Sequence, residues 1–413
     1  MNSSTPRSVK IRLSIMMALI WAIFGAWLPL LLQLMQNLGF TVIQQTVIGT
    51  APAAAAMLAV FFGNNWADRH FAQEKFLAAS SLVAGLALIG LFWAKSFWPF
   101  CALMYVHAFF YMPLISVTNS IALRHLKDTA REFGHVRMWG PVGWMGVSWP
   151  MYFLLRGREG AAAEAMIPWI FIVGGAAAML LALIGMFLPH TPPMPTAADA
   201  GHSAWLKALR LSGKPFLLVL LLVALIDATN HMGYFILSGS FLASLGVKTE
   251  WIMPIMGISQ FSEIFVTFLL GLILVRLGWK ATMVLGILAH AARFAAYSFL
   301  ADYLPMIVAV QVLHGVCYAC FFATLYIFID KAYPRDVQAS AQGVFNFVIL
   351  GLGDLLAKWI FIPAKAAFTT EGVTNYHSLF LLPAGMALCA ATLLAIAFRP
   401  PAELRKVGEI PLH

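Results

Sequence analysis

Read for hydrophobic and polar positions alone, the chain is a succession of long apolar runs separated by short polar turns. Twelve runs reach spanning length, at roughly 12–36, 43–66, 74–94, 97–122, 134–156, 165–189, 214–240, 250–275, 280–301, 303–331, 335–361 and 374–398. A helix of about 20 apolar residues crosses the hydrocarbon layer of a bilayer. Backbone groups in that layer must bond within their own segment, so each run is predicted as an α-helix. Several loops are short, which makes neighbouring helices antiparallel hairpins. The longest polar connection, Pro189 to Gly213, is rich in Pro, Ala, Thr and His and divides the runs six and six. The expected fold is an all-α membrane protein of twelve transmembrane helices in two six-helix bundles, 1–189 and 214–413, joined by a cytoplasmic linker, 190–213.

Composition sharpens this picture. Of 413 residues, 61% are hydrophobic and only 10% charged, where a soluble domain carries about 25% charged residues. A soluble enzyme is excluded. The net charge of +9 does not point to nucleic acid, because the basic residues sit in short loops between apolar runs. Their distribution gives orientation instead. With the N-terminus inside, eighteen Lys and Arg fall in inside segments, and five (Lys95, Arg156, Arg158, Lys248, Lys365) fall outside. Positive residues accumulate on the cytoplasmic side, so both termini and the linker are expected inside, in a multi-pass protein of the cytoplasmic (inner) membrane. The four cysteines all lie in apolar runs, which implies no disulfide framework. The first apolar run is too long for a cleavable signal peptide and lacks a small-residue cleavage site.

The halves echo each other. After the second run the chain reads Gly63-Asn-Asn-Trp-Ala-Asp68-Arg69; after the eighth it reads Gly271-Leu-Ile-Leu-Val-Arg276, followed by Gly278 and Lys280. A Gly with a charge five positions later, at the same turn of each half, suits two repeated units. It also resembles the loop signature of the major facilitator superfamily.

Six Asp, Glu, Lys or Arg residues sit well inside the runs: Arg137, Asp227, Glu263, Arg293, Asp354 and Lys358. A charge at membrane depth costs roughly 2.5–3.5 kcal/mol on insertion scales and so faces a protein interior or a watered cavity. Three are acidic and three basic, so they can neutralise one another. Asp354 and Lys358, spaced i,i+4, can form a structural ion pair. Arg293 is a candidate partner for Glu263 or Asp354. Gln260 lies one helical turn before Glu263 and shares its face; that pair is either part of a buried ion-pair network or part of a polar substrate site. Three further stripes are present. Asp227, Asn230, His231 and Tyr234 fall at i, i+3, i+4 and i+7; Arg137, Pro141 and Trp144 at i, i+4 and i+7; His314 and Tyr318 at i,i+4. Helix–helix hydrogen bonding accounts for each stripe alone as well as ligand binding does. Together they offer amides and carboxylates for hydrogen bonds and aromatic faces for a ring, which suits an uncharged, ring-bearing polar solute. His314 and Tyr234 are expected to serve packing.

Enzyme chemistry finds little to work with. The chain has no phosphate-binding Gly-rich loop or ATPase motif, and no His pair with the spacing of a metal-binding helix. Cys317-Tyr-Ala-Cys320 lies within a spanning helix and lacks the second pair that a structural zinc site uses. No metal and no cofactor are expected.

On Phe24-Gly-Ala-Trp-Leu28, Val136-Arg-Met-Trp-Gly-Pro-Val-Gly-Trp144, Ile258-Ser-Gln-Phe-Ser-Glu-Ile264, His314-Gly-Val-Cys-Tyr-Ala-Cys-Phe-Phe322 and Ala339-Ser-Ala-Gln-Gly-Val-Phe345, the chain resembles the nucleoside:proton symporter family of the major facilitator superfamily. The likeness covers nearly the whole chain. It implies a twelve-helix fold, a central cavity between the halves and proton-coupled nucleoside import. By that resemblance the substrate-binding positions are Arg137, Trp144, Asn230, Gln260, Glu263 and Tyr318. Three positions depart from the family pattern. Ala319 stands where an acid linked to proton coupling is expected, Asp227 stands where an amide is expected, and Pro141 stands where Thr can occur. Asp227 and Glu263 are therefore the proton-coupling candidates. The expected partners are a nucleoside, protons and the lipid bilayer, with the chain acting as a monomer. The alternatives are a passive facilitator, a symporter for another polar solute such as a sugar or modified nucleoside, and a sensor that keeps the cavity without turnover.

Overall fold

The computed structural model describes residues 5–59, 71–193 and 198–405. It divides into two compact units, residues 1–195 with 238–257 and residues 196–237 with 258–413. The first unit contains α1 (Arg7–Asn37), α2 (Val42–Leu58), α3 (Gln73–Leu91), α4 (Phe97–His125), α5 (Thr129–Arg137), α6 (Trp139–Leu155) and α7 (Trp169–Gly185). The second is built from α8 (Ala198–Ser212), α9 (Pro215–Ser244), α10 (Thr249–Phe299), α11 (Leu304–Ala332), α12 (Ser340–Ala367) and α13 (Tyr376–Ala397). The C-terminal end of α9 and the start of α10 group with the first unit.

Helix starts follow local chemistry. Thr41 caps α2 in a capping box with Gln44, and Asp128 and Asn375 accept backbone N–H groups at the starts of α5 and α13. Between α12 and α13 the chain makes a small hairpin, β1 (Thr369–Thr370) against β2 (Val373–Thr374). Its two-residue turn, Glu371-Gly372, has positive φ at both positions, as the twist of a hairpin favours.

Among the described residues, nine helices are long and apolar enough to cross a membrane. The difference from the twelve expected runs has a structural cause. The runs 250–275 and 280–301 are one 51-residue element, α10, broken at Gly278, where φ is 73° and ψ 171°. Glycine takes that non-helical backbone at no steric cost, so α10 is two helices joined at Gly278, inside the turn expected at Arg276–Lys280. The helix α6 has 17 residues. The second run is described as far as Ala59, and the Gly63 to Arg69 loop signature lies outside the described residues.

In the first unit α1 packs along α6 and α7, and α3 along α4 and α7. Its interior holds Trp27, Phe100, Tyr111 and Phe171. Two of its buried side chains bond to backbone: the Tyr111 hydroxyl donates to Ile20 O at 2.6 Å, and His107 Nδ1 lies 3.0 Å from Ala84 O. The second unit has an apolar core of Leu220, Ala224, Met283, Ile287, Phe321, Phe328, Phe345 and Leu394. Helix α10 shows two faces. Phe261, Phe265, Phe268 and Leu272, at i, i+4, i+7 and i+11, are exposed, whereas Gln260 and Glu263 are buried. Its aromatic stripe suits lipid, and its polar stripe is turned into the protein.

Candidate functional site

The polar stripe of α9 meets the second half of α10 and the middle of α11 inside the second unit. Asp227 Oδ1 lies 2.8 Å from His290 Nδ1, with both side chains fully buried. One turn along α9, the His231 ring stands 5.6 Å from that of His290 and 4.7 Å from that of His314. The fully buried Arg293 guanidinium lies 4.0 Å over the Tyr234 ring, and its Nη1 donates to His314 Nδ1 at 2.9 Å. On the other side of the ring, His314 Nε2 lies 3.5 Å from the Gln260 amide nitrogen. A second chain of bonds braces the cluster. Tyr234 donates to Gln311 Oε1 at 2.9 Å, and Gln311 Nε2 donates to the Tyr297 hydroxyl at 2.7 Å.

Two features of α11 bring these groups together. A Cβ at Gly315 would fall 2.3 Å from Ser262 atoms, so only glycine lets α10 and α11 approach this closely. Ser262 Oγ donates to Val312 O across the same contact. Immediately beyond, Tyr318–Ala323 winds as a π-helical segment, a local widening often found at functional sites. Tyr318 opens that segment half-buried, with its ring 6.2 Å from His231 and 6.1 Å from Phe322.

Several polar atoms of this cluster have no hydrogen-bond partner within the protein: both amide atoms of Asn230, Asp227 Oδ2, His231 Nδ1, His290 Nε2, and Nε and Nη2 of Arg293. Buried polar groups in native proteins are nearly always bonded, and leaving one unpaired costs about 1–3 kcal/mol. So many open donors and acceptors in one interior region suit a polar solute or water that completes them. The cluster has the parts to bond hydroxyls and a heterocyclic edge, to offer an aromatic face, and to take up a proton.

The positions singled out from sequence separate by unit. Asn230, Gln260 and Tyr318 converge on this cluster through α9, His314 and His231, and Glu263 follows Gln260 by one turn on the buried face of α10. Arg137 and Trp144 belong to the first unit. Arg137 is half-buried, with its guanidinium 4.8 Å over the Trp21 ring. Trp144 is buried, packed on Gly25 and edge-on to Phe24. Lys358 Nζ bonds Asp354 within the buried face of α12. Of the two partners expected for Arg293, Asp354 is taken by Lys358, and the hydrogen bond Arg293 Nη1 makes is to His314. His314 and Tyr234, expected to serve packing, are the two side chains that hold Arg293. His290, the partner of Asp227, belongs to none of the stripes singled out from sequence. The signal was present, since His290, Arg293 and Tyr297 fall at i, i+3 and i+7, the spacing of one helical face.

An open groove of about 400 Å³ beside Ile226, Leu381, Met386 and Cys389 is almost wholly apolar and is lined by none of these polar groups. Among the described residues no cluster of His, Cys, Asp and Glu could hold a metal ion.

The helical architecture is that of the major facilitator fold. The solved structures agree. The nucleoside transporter NupG superposes with a TM-score of 0.81 at 21% identity, covering 95% of this chain and 100% of that one. A D-xylose–proton symporter gives 0.78 at 11% identity, covering 97% and 100%. The sequence model described as nucleoside H+ symporter matches residues 7–403, and the chain belongs to that family. It is similar to YegT of Escherichia coli (strain K12), 30% identical over 403 residues, covering 94% of this chain and 93% of the relative. It is also similar to the nucleoside permease NupG of that organism, at 28% over 421 residues and 95% of each chain, and to its xanthosine permease, at 25% over 421 residues, 95% of this chain and 96% of the permease.

Proposed function

We propose that the protein carries nucleosides across the bacterial cytoplasmic membrane together with protons, by alternating access, in which the bound nucleoside is exposed first to one side and then to the other. The observation that supports this most is the unpartnered Asn230 amide, fully buried beside a titratable pair, in a chain of the nucleoside H+ symporter family. Asn230, Gln260 and Glu263 are proposed to bond the ribose hydroxyls and base edge, and Tyr318 to stack on the base. Arg137 and Trp144 stand as further substrate contacts from the first unit. Asp227 and Glu263 are the proposed proton-coupling carboxylates, and Asp354–Lys358 the proposed structural pair.

The proposed topology has twelve crossings, counting α10 as two on either side of Gly278 and including α2 and α6, with both termini in the cytoplasm. The bundles are 1–189 and 214–413, joined by the linker 190–213, and the chain works as a monomer. The Lys and Arg asymmetry supports this orientation.

The test is uptake of a nucleoside panel by cells that lack their own nucleoside transporters, with and without an uncoupler. Uncoupler-sensitive accumulation is expected. Uptake that ignores the uncoupler would identify a passive facilitator. Binding of a nucleoside by the purified protein, with no exchange in proteoliposomes, would identify a sensor.

A further inference from the structure

We infer that the transported proton is held on the imidazole of His290, within the Asp227–His290 pair, and not on a carboxylic acid alone. The inference rests on the reading of the protein as a proton-coupled transporter, and it adds the group that binds the proton.

The first argument is geometric. His290 Nδ1 lies 2.8 Å from Asp227 Oδ1, which fixes the ring and gives Nδ1 its partner. Its Nε2 makes no hydrogen bond to a nitrogen or oxygen of the protein, and the weakly bonding Cys317 thiol lies near the ring. A ring held by a carboxylate at one nitrogen and open at the other can gain or lose a proton at the open end without rearranging. Loaded, the imidazolium donates Nδ1–H to the Asp227 carboxylate and carries the second hydrogen on Nε2. On release, Nε2 passes that proton to water on the receiving side. The neutral ring then still donates Nδ1–H to the ionised carboxylate.

The second argument is a count of charge over every element packed here. Helix α9 brings Asp227 and His231; α10 brings Glu263, His290 and Arg293; α11 brings His314 and Cys317, with Ala319 rather than an acid after Tyr318. Helix α12 packs close to Asp227, since a Cβ at Gly353 would fall 2.6 Å from the Ala228 Cβ; its Asp354 and Lys358 neutralise each other, and its remaining charge, Lys365, stands in the last turn of the helix, away from this contact. With both carboxylates ionised and Arg293 charged, the remaining groups sum to one negative charge. One proton cancels it, and a neutral buried cluster avoids the desolvation cost of a net charge.

The third argument selects the base. His314 Nδ1 accepts from Arg293, so an imidazolium there would present its N–H to a cation. The His231 ring packs tilted against that of His314, the ring that Arg293 bonds. His290 alone of the three is bonded to a carboxylate. The link to substrate is short: Asn230 lies one turn from Asp227, and the His231 ring adjoins both His290 and Tyr318. A nucleoside held by Asn230 and Tyr318 therefore dries the surroundings of the pair and couples its own binding to the charge there.

The test uses full-length protein in proteoliposomes and the labelled nucleoside that gives the fastest counterflow among uridine, adenosine, inosine and xanthosine. Wild type should accumulate it against its gradient when an acid-outside pH difference is imposed. His290→Gln should lose that accumulation, falling to the equilibrium level, while counterflow continues at a reduced rate. Accumulation that survives in His290→Gln would overturn the inference. Wild-type counterflow with no gradient-driven accumulation would overturn the coupled reading itself, and the inference with it. If His290→Gln neither exchanges nor binds, the decision passes to wild type labelled with 15N-histidine. Its infrared difference spectrum on nucleoside binding should contain imidazole bands that shift with the label. A spectrum in which only carboxylic acid bands change would place the proton on Asp227 or Glu263 and refute the role of His290.

Discussion

Asp227 on α9 and His290 on α10 are joined at 2.8 Å, fully buried, across 63 positions of sequence. Neither residue stands in a loop, and neither is needed to hold its own helix. Keeping a carboxylate and an imidazole dry inside a membrane protein is costly, and the proton-coupled transport proposed here gives that cost a use.

The first prediction concerns the carboxylate of this pair. Asp227→Asn keeps the shape of the side chain and lets its amide oxygen accept from His290, while removing the negative charge that stabilises an added proton. Accumulation driven by a pH gradient is expected to vanish in proteoliposomes containing this variant. If accumulation persists, Glu263 carries the proton in place of the pair.

Glu263 and Gln260 share the buried face of α10, opposite the exposed Phe261, Phe265 and Phe268. Glu263→Gln removes a charge-assisted hydrogen bond to substrate, a loss of roughly 1.5–3 kcal/mol, or about 10- to 150-fold in affinity. Isothermal titration of the purified variant with nucleoside reads this directly. Unchanged affinity in a well-folded protein would assign Glu263 a structural role.

Arg137 lies over Trp21 as a planar cation on an aromatic face. Arg137→Lys retains the charge and loses both the stacking plane and the forked donors. Uptake should fall while the amount of protein in the membrane stays the same. Wild-type uptake by Arg137→Lys together with failure of Arg137→Ala would mean that charge alone matters.

Gly315 is the contact that lets α11 approach Ser262 on α10. Gly315→Val forces the helices apart, at a cost of typically ~1–3 kcal/mol for overpacking, and moves His314 away from Gln260. Lower thermal stability in detergent and lost nucleoside binding are the expected outcomes. A variant as stable and as active as wild type would show that the close approach is dispensable.

Near the start of the chain, Glu132 accepts from Lys10 Nζ at 2.5 Å and from both the backbone N–H and the hydroxyl of Thr5. The Lys10 bond first, then the Thr5 hydroxyl, hold its carboxyl well below the ordinary value of 4.5, at about 2. The depressed value means that the tie to residues 5–10 is at full strength above pH 4.5 and is lost as pH falls toward 2. Hydrogen exchange of the first turns of α1 should be slow at neutral pH and faster in Glu132→Gln. Equal exchange in the two proteins would show that the tie contributes nothing to ordering that segment.

What the sequence determined by itself is what local spacing encodes. Apolar runs of bilayer length specify helices wherever they occur, and a charge within a run must face inward, whatever it meets there. Asp354 and Lys358 are one turn apart on one helix, so their bond was legible, as was the stripe from Asp227 to Tyr234. The turn at Gly278 was legible, and it is made by a single non-helical glycine between two helices. The tertiary structure alone decided which stripe meets which. The partner of Asp227 is set by how α9 lies against the second half of α10, and the partner of Arg293 by how α11 closes on Ser262 through Gly315. Those contacts depend on the shapes of small residues packed between helices far apart in sequence, and no periodicity along the chain carries that information.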